Sequence, residues 1–198
     1  MKLNLFSNWF DSQTRPQEFQ YCRDRNLRIF DRVIYYNGRP TFSEYFKDMA
    51  KFQDSINVLA NLDIYFDETI KLTQWLKEDV VYCLTRHEDD GKGNIQTFAQ
   101  RNGGHPGEWS QDAWVFTGSK IAEVEANFHL GDRGCDNHLA YVLHILGYKL
   151  LNPALDIRAI HMHNIDRGSS HDRGEFAWDR EKFPNQSMKV ELSHLKML

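Results

Sequence analysis

The sequence predicts an α/β fold on a mixed, mostly parallel sheet, and three observations point there. Short apolar runs of strand length alternate along the chain with stretches of helical period. Polar residues recur where those runs stop, at Asn8, Asn37, Asn61 with Asp63, and Arg86. The composition, 41% hydrophobic and 26% charged over 198 residues, suits one globular domain with a single core.

Residues 2–6 (KLNLF) read as a first strand. Arg15 to Leu27 has helical character, with Pro16 suited to a first turn. Asp31 to Tyr36 (DRVIYY) is a second strand, stopped by the turn pair Asn37-Gly38. Thr41 to Phe52 is a helix whose Thr41 and Glu44 have capping-box spacing. Ile56 to Ala60 is a buried strand, and Asp67 caps a helix expected to run to about Glu78. Val80 to Leu84 (VVYCL) is the next strand. The glycine-bearing stretch from Asp89 to Glu108 is a long loop with one short strand in NIQTF, and Trp114 to Phe116 is strand-like. From Asp136 to Leu146 one stripe carries Leu139, Val142, Leu143 and Leu146, and Gly147 stops the helix. Leu150-Leu151 is a short strand, residues 157–163 alternate as another, and after about Asn164 the chain becomes polar, an extended tail tied down by Phe176 and Trp178 or leading to a further domain.

The net charge of −4 gives no basic stripe, so no nucleic-acid partner is expected. No apolar run has the length of a membrane span, and MKLNLFSNWFD lacks the features of a secretory leader. Cys22, Cys83 and Cys135 are odd in number and far apart, which predicts free buried thiols in a reducing, cytoplasmic setting.

In an open α/β sheet, ligands gather outside the carboxyl ends of the strands. The strand exits therefore supply the candidate residues. Alternation puts His161 and His163 on one side of the last strand. With a carboxylate nearby, such as Asp63, they are candidates to ligate a divalent ion. Taken singly, each is as readily a partly exposed histidine, and Asn61-Leu62-Asp63 as readily a turn. Asp136 suits a helix cap or a general base, and the GDRG approach to it lets backbone come close to a ligand. Asp112 suits a turn or a sugar-hydroxyl contact.

Four blocks, VLANLDIYFD, VVYCLTRHE, SQDAWVF and GDRGCDNHLAYVLHILGYKLLNPALDIRAIHMHN, together resemble the GT-A glycosyltransferases. In particular they are similar to the small GT-A domains encoded by large algal viruses, the chloroviruses. The resemblance covers roughly residues 2–164. It implies a Rossmann-like three-layer α/β/α sandwich over residues 1–165, with a donor half at about 1–88, an acceptor half at about 105–165, and an extension over 166–198. It further implies transfer of a sugar from a nucleotide-sugar donor, UDP-linked by preference, to a glycan, glycoprotein or other hydroxyl acceptor, in the host cytoplasm if the protein is viral. The metal, Mn²⁺ or Mg²⁺, would rest on Asp63 and on His161 or His163. Asn61 stands where the motif has an acid. Asn8, Phe10 and Asn37 would lie by the nucleobase, Asn61, Leu62, Asp63, Arg86 and Asp112 along the donor, and Asp136 or Asp112 would act in catalysis. Two other classes share these residues: a metal-dependent phosphohydrolase or nucleotidyltransferase, and a non-catalytic nucleotide-sugar-binding domain.

Overall fold

The computed structural model describes residues 1–12, 15–162 and 186–195. Among these residues ten strands and four α-helices are formed: β1 (Lys2–Trp9), α1 (Pro16–Ile29), β2 (Arg32–Asn37), α2 (Phe42–Met49), β3 (Ser55–Ala60), β4 (Ile64–Phe66), β5 (Val80–Leu84), β6 (Arg86–Asp89), β7 (Ile95–Thr97), α3 (Phe98–Arg101), β8 (Ala113–Phe116), α4 (Cys135–Ile145), β9 (Lys149–Leu151) and β10 (Ala159–Met162). The central sheet has the order β2-β1-β3-β8-β5-β9. All its strands run one way except β8, which is antiparallel to both β3 and β5. The α/β class with a mixed, mostly parallel sheet is therefore as expected.

Strand alternation divides the core in two. Phe6, Leu59, Val81, Cys83, Trp114 and Phe116 face one side, where α2 and α4 contribute Phe42, Phe46, Leu139 and Leu143. Their neighbours in sequence, Leu5, Val58, Ala60, Tyr82, Leu84 and Val115, face the other side with Phe30, Phe66, Ile70 and Ile157. Because both faces are covered, these strands read as continuous apolar runs rather than as alternating ones.

A second sheet, of order β4-β10-β6-β7, adjoins the first. Two main strands run on into it. β3 passes through the turn Asn61-Leu62-Asp63, closed by the Ile64 N–H donating to the Asn61 carbonyl at 3.1 Å, and becomes β4. β5 passes through Thr85 and becomes β6. Helix α1 backs this sheet: the Asn26 amide donates to the Ile64 carbonyl (2.9 Å) and accepts from the Phe66 N–H (3.1 Å).

Three local expectations change. Asp67 does cap, accepting from the Thr69 N–H at 3.0 Å, but it opens a 3₁₀ segment, Glu68–Trp75, rather than an α-helix to Glu78. The Thr41–Glu44 capping box is present, yet α2 ends at Met49 and Ala50–Phe52 tightens into a 3₁₀ turn. Residues 86–89, read as the exit of a strand, are themselves a strand. Residues 186–195 lie against the domain, with the N–H groups of Met188 and Val190 donating to the carbonyls of Asn137 and Glu108. The tail residues Phe176 and Trp178 lie outside the described residues.

Candidate functional site

Three strand ends meet where the two sheets join. The Asn61 N–H donates to the Asp112 carbonyl (3.3 Å), and the Asp112 N–H donates to the Leu84 carbonyl (3.1 Å). This backbone knot at the ends of β3 and β5 and the start of β8 fixes a ring of charged side chains above it. Asp63 Oδ2 contacts His161 Nε2 at 3.1 Å, and His161 Nδ1 contacts Glu88 Oε2 at 2.8 Å. Arg86 donates from Nε to Glu88 (2.6 Å) and from Nη1 to Asp112 (2.8 Å). The Asn61 amide donates to the other Asp112 oxygen at 3.1 Å and closes the ring. Arg15, just before α1, joins from outside: its Nη1 donates to Asp63 Oδ2 at 3.0 Å, and its Nε pairs with the buried Glu18.

The charges set one another. Burial would lower the His161 pKa, but Asp63 and Glu88 hold the imidazolium and raise it to about 9. Burial would raise Glu88, but the hydrogen bond from His161 and the charge of Arg86 bring it down to about 2. Asp136 behaves oppositely. Burial, with Asp112 nearby, pushes its carboxyl up to about 6 although Oδ2 accepts the Gln111 N–H at 3.2 Å.

The cap of α4 is not Asp136. Gly134 holds the cap position in a left-handed conformation, φ 80°, which a side chain would strain. Asp136 therefore sits within the first turn and keeps an oxygen for the loop that carries Gln111. In the same approach Gly131 has its Cα close enough to Asn61 that an added Cβ would meet the amide oxygen at 3.9 Å. The glycine-rich loop thus borders the ring.

The pair Asp63 and His161 fits the divalent ion that the resemblance implies. One carboxylate and one imidazole are ligands that such an ion accepts, and here they meet as an ion pair. Glu88 on Nδ1 is the outer carboxylate that ligating histidines usually carry. Holding a cation at Nε2 requires His161 to release its proton there. Among the described residues no set of three or more His, Cys, Asp and Glu side chains forms a ligand group. Asp63 and His161 would thus supply two positions, and His163 lies outside the described residues.

The remaining candidates are spread along the same edge. Asn8 is buried near the end of β1, and Asn37 ends β2 beside Trp9 in register. Phe10 is half exposed and packs edge-on against Phe19 of α1, with ring centres 5.2 Å apart. Leu62 is buried. Sequence reasoning did not single out Glu88 or Arg15. Glu88 was recoverable: once residues 86–89 are a strand, Arg86 and Glu88 share a face, and Glu88 pairs in register with His161. Arg15 lies 48 residues from Asp63, and no local pattern announces the contact.

No family model and no curated protein matches the chain. Among solved structures, the chain is similar to the crystal structure of a glycosyltransferase involved in the glycosylation of the major capsid of PBCV-1. The two are 11% identical, the match covers 81% of this chain and 93% of the other, and the TM-score is 0.42. At that score the likeness says nothing about the reaction of this chain.

Proposed function

We propose that this protein is a glycosyltransferase that moves a sugar from a nucleoside-diphosphate sugar, UDP-linked by preference, to a hydroxyl of a glycan or similar acceptor, with Mn²⁺ or Mg²⁺. One observation carries the reading. The Asp63–His161 pair is linked through Glu88 and Arg86 to Asp112, whose charge, after burial, raises the nearby Asp136 carboxyl to about 6. The carboxylates of this cluster outnumber its cationic groups, which favours a divalent cation there. Such an ion would stabilise the charge that develops on the departing diphosphate.

The side chains have separate tasks. Asp112 has both oxygens engaged, by Arg86 and Asn61, so it orients rather than accepts a proton. Arg86, fixed by Glu88 and Asp112, presents a permanent positive charge to the donor. Asp136 takes the proton of the acceptor hydroxyl as that oxygen bonds to the anomeric carbon and the bond from that carbon to the diphosphate oxygen breaks.

The test is incubation with Mn²⁺ and a panel of nucleotide sugars, following nucleoside diphosphate release with and without acceptor sugars. The expected result is release from one class of donor that is lost in Asp63→Ala. Release of phosphate or nucleoside monophosphate would assign the site to a hydrolase or nucleotidyltransferase. Binding without turnover would leave a binding domain.

A further inference from the structure

We infer that Arg15 is a diphosphate-binding residue that serves as the counter-charge of Asp63 until a divalent cation replaces it. The inference rests on the sugar-transfer reading of the same site. Three features single out Arg15. Its Nη1 bonds to the same Asp63 oxygen, Oδ2, that faces His161 Nε2, so it stands at the position the cation pair would use. Its Nη2 is buried without a hydrogen-bond partner among the described residues, a donor awaiting an acceptor. Its Nε is anchored on the buried Glu18, which keeps the guanidinium tethered beside Asp63.

Position fits the role. Arg15 occupies the cap position of α1, but its side chain caps nothing and reaches across to β3's exit instead. The guanidinium lies 5.1 Å over the Phe19 ring, and Phe19 touches Phe10 at the end of β1. Arg15 therefore stands between the strand ends expected to take the nucleobase and the carboxylate expected to take the cation. That is where a diphosphate would run. A guanidinium fork matches two phosphate oxygens, and a lysine would not reproduce it.

Competition follows from charge. A divalent ion on Asp63 repels a guanidinium on the same oxygen. Arg15 must then leave Asp63, and the diphosphate offers Nη1 and Nη2 their acceptors. Cation and diphosphate thereby favour each other's binding, and the coupling is reciprocal.

The experiment titrates Mn²⁺ alone into the full chain by loss of the free-ion paramagnetic signal, then titrates UDP at saturating Mn²⁺ by calorimetry. Arg15→Ala should bind Mn²⁺ alone roughly tenfold more tightly than the native chain, and UDP roughly tenfold more weakly, the scale for a hydrogen bond to a charged group. Arg15→Lys should recover part of the UDP affinity. Arg15→Gln, which keeps a donor for Glu18, should behave as Arg15→Ala does and replaces it if the alanine variant does not melt cooperatively. Unchanged or weaker Mn²⁺ binding by these variants, with binding abolished in Asp63→Asn, would overturn the inference and leave the sugar-transfer reading standing. Native-like Mn²⁺ binding by Asp63→Asn, or none by any chain even with UDP, would overturn that reading itself.

Discussion

Asn61 is an amide set among carboxylates, and its surroundings explain what an amide does there. Its Nδ2 donates to Asp112 Oδ1, so the side chain neutralises part of a carboxylate instead of adding one. Asn61→Asp would set a second carboxylate against Asp112, whose charge, after burial, already raises the Asp136 carboxyl to about 6. As pH falls through about 6, Asp136 takes up a proton and loses its capacity to accept one. With Asp136 as the base of the proposed transfer, the rate should therefore climb about tenfold per pH unit up to roughly 6 and then level, as for a single essential base. In Asn61→Asp the added charge should move that limb to higher pH. In Asp136→Asn donor binding should stay near native, transfer should fall about 10²–10⁴-fold, and the limb should disappear. A pH–rate profile for the three chains checks all of this. An unmoved limb in Asp136→Asn would reduce Asp136 to a structural contact of the Gln111 loop.

At the scale of elements, the short polar strands were the hidden part of the fold. The apolar strands β1, β3 and β5 and the helix α4 were legible because burial on one or both faces leaves a hydrophobic signature. β6 was not, because Arg-His-Glu-Asp has the composition of a loop. Its burial comes from pairing with β10 and β7, far away in sequence, and from side chains satisfied by one another. The candidate site was half legible for the same reason. Asp63, His161, Asp112 and Arg86 could be read at strand ends, while Glu88 needed β6 and Arg15 needed the docking of α1. Another long-range tie lies after β9. The buried Asn152 accepts the Thr85 N–H (3.0 Å) and donates to the Thr85 hydroxyl (2.9 Å) and the Val190 carbonyl (3.1 Å). It thus pins the β5–β6 crossing to the segment 186–195. Asn152→Ala strands those groups, and each buried polar group left unpaired costs about 1–3 kcal/mol. The chemical-denaturation midpoint should fall accordingly. The exposed cap Thr41 should cost about 1 kcal/mol on replacement by alanine.

Across the whole molecule the two sheets share chain: β3 continues into β4 and β5 into β6 with one to three residues between. Neither sheet can open without pulling on the other, and the site ring sits across the seam. The three cysteines report on this. Cys22 lies in the cluster with Tyr65, Ile160 and Met162 under the second sheet, while Cys83 and Cys135 lie in the core between the main sheet and α2 and α4. All three are free and buried, and burial pushes each thiol well above its usual pKa, so the native chain presents no ready thiolate. A thiol reagent at neutral pH should therefore modify them only through opening of the fold. If the continuous strands bind the sheets into one cooperative unit, Cys22, Cys83 and Cys135 should be labelled at one common rate below the denaturation midpoint, read peptide by peptide by mass spectrometry. Faster labelling of Cys22 alone would show the second sheet opening by itself. The ring of Asp63, His161, Glu88 and Arg86 would then straddle two units that separate, and a fixed site at the seam would lose its support.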